Sequence, residues 1–299
     1  MPGRSERPGG PGGYSGTPMA GDVALEAAAR VRVTVLVGAG DTGKTTLAAQ
    51  LATALAARGA RVAVVDADVG QSEIGPPTTV GLGAVTGPLT RLRDAELIAL
   101  EFIGDTSPVR RIGATADATG RLVRRALAAG FAHVIVDTGG LVEGVLGAAL
   151  KRAKLRAVDP DLVIVMQRRD ESEPLARALE GAARPVLVRV AASPAATRRT
   201  QTQRRLFRDR ALEDYLHASA SVRVPMERVE TPRGPRGVPP LDIVEGLLVG
   251  IYDADGETLG IGRVRSVDAT SSSIVVDTPV NPAQIARLAA GRVVWPPVP

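Results

Sequence analysis

Gly38-Ala39-Gly40-Asp41-Thr42-Gly43-Lys44-Thr45 satisfies every fixed position of the pattern G-x-x-x-x-G-K-[ST]. The chemistry of that spacing is the holding of phosphates. Glycines let backbone N–H groups turn inward, and the helix that must follow aims its positive end at the same place. A nucleoside triphosphate, ATP or GTP, would be bound by Gly38, Gly40, Asp41, Thr42, Gly43, Lys44, Thr45 and Thr46. Lys44 would reach the β- and γ-phosphates, and the Thr45 hydroxyl would ligate Mg²⁺.

A second group lies downstream. The apolar run Val62-Ala63-Val64-Val65 leads into Asp66-Ala67-Asp68-Val69-Gly70-Gln71. Two carboxylates at i and i+2, at a strand end beside a phosphate loop, can divide two tasks. One, Asp66, orients the metal; the other, Asp68, accepts a proton from an attacking hydroxyl. Asp137 ends another apolar strand, Val134-Ile135-Val136, and competes with Asp66 for the metal. The sequence leaves that choice open.

The positioning elements follow from the pattern of short apolar runs and helical stretches. Strands are expected over residues 31–37, 61–66, 97–103, 133–137, 162–167 and 185–190. Helices are expected over 23–30, 44–58, 115–130, 144–156, 173–181 and 198–218. Alternation of nearly all-apolar strands with helices specifies an α/β fold, a mostly parallel sheet covered on both faces, with ligands beyond the carboxyl ends of its strands. Residues 1–22 are too rich in Gly and Pro to fold, and 23–223 form the phosphate-binding domain. Residues 224–240 read as a Pro/Arg/Gly linker and 241–299 as a small β-rich domain. In that domain strands are expected over 246–252, 258–264, 273–277 and 292–295, with a short helix over 282–290.

Composition narrows the chemistry. The chain of 299 residues has no cysteine and two histidines, which removes thiolate sites and makes a multi-histidine metal site untenable. The formal charge of +5 is compatible with a polyanionic partner. Of 37 basic residues only Lys44, Lys151 and Lys154 are lysine. A chain that writes arginine almost everywhere keeps lysine at the phosphate motif, where a compact ammonium suits the cradle better than a planar fork. No signal-like or membrane-spanning apolar run is seen, so a cytoplasmic protein without a membrane partner is expected.

Arg198, Arg199, Arg204, Arg205, Arg208 and Arg210 crowd one predicted helix, on which Phe207, Ala211 and Tyr215 form a stripe that could dock on the body. Placed after the last strand, this helix would lie over the phosphates. The chain has seven aromatic residues, three Tyr, three Phe and one Trp. Nucleic acid, if bound, would therefore be held through phosphate contacts and be sensitive to salt.

Together these motifs resemble those of the polynucleotide 5′-hydroxyl kinases. That family includes a subunit of the pre-mRNA 3′-end cleavage machinery, a kinase of ribosomal RNA processing and shorter prokaryotic relatives. The resemblance rests on Gly38–Thr45, on Asp66–Gln71 with the trailing Gly75-Pro76-Pro77-Thr78-Thr79-Val80, and on Phe102–Pro108, which is similar to a G-x-T-[ST]-P segment. It extends to Asp137–Gly144, similar to the T-x-G-W-V-x-G clasp, and to Arg199–Tyr215, similar to the lid helix. The clasp tryptophan is replaced by Leu141. The resemblance implies phosphoryl transfer to the 5′-hydroxyl of RNA or DNA, with Arg199 and Arg204 as lid arginines and Gln71, Thr106, Ser107, Thr138 and Gly140 against the acceptor. A nucleotide-switched regulatory ATPase or GTPase, or a non-catalytic ATP-binding subunit of a nucleic-acid-processing assembly, would use many of the same residues. The oligomeric state is left open.

Overall fold

A computed structural model describes residues 20–193, 196–231 and 242–296. Residues 1–19 of the expected arm and most of the expected linker lie outside that range; Ala20 to Asp22 already belong to the first helix, α1 (Ala20–Ala28).

Five strands form the parallel part of the sheet: β1 (Val33–Gly38), β2 (Val62–Ala67), β5 (His133–Thr138), β6 (Leu162–Gln167) and β7 (Val186–Ala191), in the order β7-β6-β1-β5-β2. Their side chains are nearly all apolar, as burial on both faces requires. One core, with Val35, Val65, Leu122 and Val136, lies under α3 (Ile112–Ala128) and α4 (Gly144–Val158). The other, with Leu36, Leu51, Val64 and Ile164, lies under α1 and α2 (Lys44–Ala57). A short α5 (Glu173–Leu179) joins β6 to β7.

Beyond β2 the sheet turns antiparallel through β3 (Thr79–Ala84) and β4 (Glu96–Phe102). Strand β3 is not anticipated from its sequence, because Gly81 and Gly83 argue against a strand interior. They are tolerated because the chain before β3 presses on them: a Cβ at Gly81 would lie 2.0 Å from the Ile74 carbonyl oxygen.

The helix expected to form a lid, α6 (Gln201–Leu216), starts at a capping box. Thr200 Oγ1 accepts from Gln203 N (3.2 Å) and Gln203 Oε1 accepts from Thr200 N (2.8 Å). Its docking face differs from the expected stripe. Leu212, Tyr215 and Leu216 pack with Leu248, Ile261 and Trp295 of the C-terminal strands, whereas Phe207 sits between guanidinium groups. Tyr215 is common to both patterns; the chain's later strands, absent from any local reading, select the rest.

Those strands are β8 (Ala220–Pro225), β9 (Val229–Glu230), β10 (Leu247–Tyr252), β11 (Thr258–Asp268), β12 (Ser273–Thr278) and β13 (Arg287–Val294). They continue the main sheet through β11, which meets β4 at Thr258 and Leu100. Two expectations fail here. The expected linker begins inside β8, where Val224 is buried and pairs with Ile274, so residues 224–230 belong to the β-rich unit. The expected helix over 282–290 is a single 3₁₀ turn, Pro282–Gln284, running into β13. Leu288 and Ala290 are buried on alternate positions against β10, so period-two burial overrides helical propensity. A buried ion pair, Arg263 to Asp277 at 2.9 Å, ties β11 to β12.

Candidate active site

The carboxyl ends of β1, β2 and β5 open into a cleft of about 370 Å³. The cleft is lined by Gly40, Asp41, Gly43, Lys44, Thr45 and Thr46 of the phosphate loop, and by Asp68, Gln71, Thr138, Gly140, Arg199 and Arg204. Most of the residues named from sequence therefore converge. Gly43 adopts φ of 94°, a left-handed conformation that starts α2 at Lys44. A Cβ at Gly140 would lie 2.4 Å from Gly40, so the clasp segment rests directly on the phosphate loop. Gly38 and Thr42 are structural parts of that loop; Thr42 Oγ1 donates to Ala39 O at 3.0 Å. Lys44 Nζ donates to Ala39 O at 2.6 Å. Burial pulls its ammonium below the ordinary lysine range, against the attraction of Asp137, Asp68 and Asp41.

The two candidate metal carboxylates separate. Thr45 Oγ1 donates to Asp137 Oδ2 at 2.6 Å, and Asp137 Oδ1 is buried without a hydrogen-bond partner. Asp66 makes no such contact. Its Oδ1 accepts from Asp68 N (3.0 Å), and its Oδ2 accepts from Glu73 N (2.6 Å) and Ile74 N (3.1 Å). Both Asp66 oxygens accept backbone N–H groups of the Asp68–Ile74 loop, whereas Asp137 keeps one unpartnered oxygen beside the Thr45 hydroxyl. Burial, then the neighbouring Asp137 carboxylate, pushes Asp66 up to about 8. Burial raises Asp137 to about 6, opposed by the Lys44 ammonium and the Thr45 hydroxyl.

Asp68 is held differently. Its Oδ1 accepts from Gly70 N (3.0 Å) and Gln71 N (3.1 Å), while Oδ2 has no hydrogen-bond partner among the described residues. Gln71 Nε2 donates to Arg204 O (3.0 Å), joining this loop to the lid helix. Thr106 and Ser107 do not line the cleft. They lie behind Gly70, where a Cβ would meet the Thr106 carbonyl at 2.8 Å.

The lid rests on Asp41. Asp41 Oδ2 accepts from Arg199 N (2.9 Å) and from Arg204 Nη2 (2.6 Å), with the Arg204 guanidinium over Gly40. The Arg199 guanidinium turns instead to the Phe207 ring at 5.4 Å, which Arg93 also approaches at 5.7 Å. Beside the cleft a groove of about 760 Å³ is lined by Arg91, Arg93, Arg199, Phe207 and Arg210. On the other side a smaller groove of about 280 Å³ runs between the phosphate loop, Leu141 and Val142 of the clasp, and Arg204.

Several site residues escape a sequence reading. Glu73, Thr90 and Arg91 line the cleft but sit in no motif. Arg168 donates to Asp41 O (2.5 Å) and Ala196 O (2.6 Å), bracing the phosphate loop from behind. Lys151 and Lys154 lie under the cleft floor, and for them a signal existed: they are the other two lysines of the chain.

Comparison with known proteins agrees with this geometry. Residues 38–218 match the family described as mRNA cleavage and polyadenylation factor CLP1 P-loop. The chain belongs to the CLP1 P-loop family. A polyribonucleotide 5′-hydroxyl-kinase of Pyrococcus abyssi is 28% identical over 87% of this chain and 86% of its own length. One from Methanocaldococcus jannaschii is 36% identical over 52% of this chain and 43% of its own. Among solved structures, the wild-type Clp1p–Pcf11p complex superposes with a TM-score of 0.71 at 14% identity, covering 91% of this chain and 77% of that one. The last likeness concerns the fold: a P-loop mixed sheet with a β-rich C-terminal part. No described helix is long and apolar enough to cross a membrane.

Proposed function

We propose that this CLP1-family protein is a polynucleotide 5′-hydroxyl kinase. It transfers the γ-phosphate of ATP or GTP to the 5′-hydroxyl of an RNA or DNA strand. The observation that carries the reading is Asp68: a carboxylate fixed through one oxygen by its own loop, with the other oxygen free in the cleft that Lys44 and the clasp share. Such a group is built to take a proton from an incoming hydroxyl.

In this reading the acceptor oxygen forms a bond to the γ-phosphorus, the bond to the β–γ bridging oxygen breaks, and the hydroxyl proton passes to Asp68. Backbone N–H groups of residues 40–46 and the Lys44 ammonium hold the phosphates and offset charge on the transferred group. Thr45 and Asp137 fit a Mg²⁺ ion, because the Asp137 Oδ1 atom is buried and unpartnered beside the Thr45 hydroxyl. Bound there, the ion would neutralise charge on the phosphate oxygens. Arg204, fixed at Gly40, would offer its fork to an equatorial phosphoryl oxygen. Leu141 and Val142 border the groove on the clasp side, an apolar seat without a stacking ring for the terminal base. The arginine groove beside the lid supports a polyanionic partner.

The test is incubation with γ-labelled ATP or GTP and paired 5′-hydroxyl RNA and DNA oligonucleotides. Label on an oligonucleotide end, abolished when that end is already phosphorylated, is the expected result. Label found only as free phosphate would replace the kinase with a nucleotide-driven switch, and no label release at all would leave a binding module.

A further inference from the structure

The three lysines of this chain all reach the floor of one site. Lys44 belongs to the phosphate loop, but Lys151 and Lys154 come from α4 and are 1% and 2% exposed. Neither lines a cavity at the cleft. Burying an ammonium is costly unless its donors are satisfied. Here burial, then the neighbouring Lys154 ammonium, holds Lys151 well below the ordinary lysine range; burial pulls Lys154 down to about 8, opposed by Asp68, Asp66 and Asp137. Two such costs on successive turns of one helix call for a return.

The hydrogen bonds indicate what the return is. Lys151 Nζ donates to Thr138 Oγ1 (2.8 Å) and to the Gly139 carbonyl, the start of the clasp. Lys154 Nζ donates to Ala67 O (2.6 Å), the peptide that leads into Asp68. The two held segments touch: a Cβ at Gly139 would lie 3.1–3.3 Å from the Asp68 carboxylate. Thr138 Oγ1 also donates to Leu36 O (2.7 Å) in β1, which extends the tie to the strand that carries the phosphate loop. Residues three apart on a helix share a face, so one rigid element carries both donors.

We propose that Lys151 and Lys154 are positioning residues for phosphoryl transfer, tying the end of β5 and the end of β2 to α4 so that Asp68 is held against the clasp. The inference rests on the kinase reading, because it concerns the distance between the proton acceptor and the loop that seats the hydroxyl. It also accounts for the lysine usage. Lys151 has two acceptors in reach and Lys154 one; an ammonium is compact enough for such contacts, whereas a guanidinium is wider and brings five donors. A proximity effect of this kind is large, since a misplacement of about 1 Å can cost a hundredfold in rate.

Lys151→Met and Lys154→Met keep an unbranched apolar stem, one atom shorter, and remove the donor. Each is measured for kcat with a 5′-hydroxyl oligonucleotide, for affinity toward a fluorescent ADP analogue, and for the share of consumed ATP that ends on the oligonucleotide rather than as free phosphate. The expected result is a fall in kcat of about tenfold or more and a smaller transferred share, with ADP-analogue affinity within about twofold of wild type. Lys154→Arg should not restore kcat. Unchanged kcat overturns the inference, as does a parallel loss of nucleotide affinity, which would make the lysines general supports of the fold. If the methionine variants do not fold, Lys151→Gln and Lys154→Gln take their place; failure of both sets to fold assigns the pair to stability alone and also overturns it. A wild-type protein that labels no oligonucleotide is a failure of the kinase reading, whereas normal transfer by the variants is a failure of this inference only.

Discussion

The floor of the cleft and the lid above it carry opposite solutions to the same electrostatic problem. The floor packs Asp66, Asp68 and Asp137 with Lys44, Lys151 and Lys154, nearly all buried, on the ends of β1, β2 and β5 and on α2 and α4. The expected lid presents Arg205 and Arg210 exposed, and Arg204 and Arg208 half-buried, on a helix whose anchor is the β-rich unit, with exposed Arg199 just before it. Around the cleft the exposed cations are arginine and the buried ones are lysine, although elsewhere Arg263 is buried against Asp277. The difference teaches that packing, more than charge, decides which cation the chain uses.

If the floor does the chemistry, the largest losses should come from it. Lys44→Ala should leave no measurable transfer with the fold intact by circular dichroism; wild-type activity would remove the phosphate-loop assignment. Asp137→Asn should cost about a thousandfold or more in Mg²⁺-dependent transfer, several kcal/mol of charge stabilisation. The same change should stabilise the protein. Asp137 is raised from 3.8 to about 6, so the folded state binds its proton more tightly than the unfolded chain does. Stability therefore falls as pH rises from about 4 through about 6, and remains lower above that. In asparagine that pH dependence disappears. Thermal melts without nucleotide at pH 4 and pH 7 check it, and a lower melting temperature for the variant at pH 7 would contradict the sign.

Asp68→Asn sharpens the comparison within the floor itself. It keeps size and the N–H contacts but cannot accept a proton. Transfer should fall by about two to four orders of magnitude, with nucleotide affinity little changed. A loss of nucleotide affinity at constant turnover would instead make Asp68 a metal or structural residue.

The lid should yield smaller effects of a different kind. Arg204→Lys keeps charge and loses the fork that lies on Gly40. About a tenfold drop in kcat, with KM for nucleotide nearly fixed, is expected if the contact serves the transition state. Full kcat with only an altered salt dependence would reduce the helix to an electrostatic track. The smallest effect belongs to the groove: Arg93→Gln with Arg210→Gln should raise oligonucleotide KM several-fold at low salt and matter little at high salt. A change confined to nucleotide KM would reassign the groove to the donor.

Phosphate loop and acidic loop were legible because each is a local pattern whose chemistry needs those residues at those spacings; the clasp was legible only as a resemblance to a family motif. Six strands and all six helices of the P-loop region were legible for a related reason: nearly all-apolar runs between helical stretches admit few other folds. The sequence by itself could not choose between Asp66 and Asp137. The strand order bears on it: β5 lies next to β1, where Asp137 reaches the Thr45 hydroxyl, while β2 stands one strand further out. The sequence could not foresee β3 or the first part of β13, whose glycines and alanines become strand only when a neighbour supplies the pairing; the end of β13 alone was expected, over 292–295. The lysines were visible as a count and nothing more. Only the packing of α4 beneath the ends of β2 and β5 turned Lys151 and Lys154 into parts of one site, because burial and hydrogen-bond geometry are properties of residues far apart in the chain.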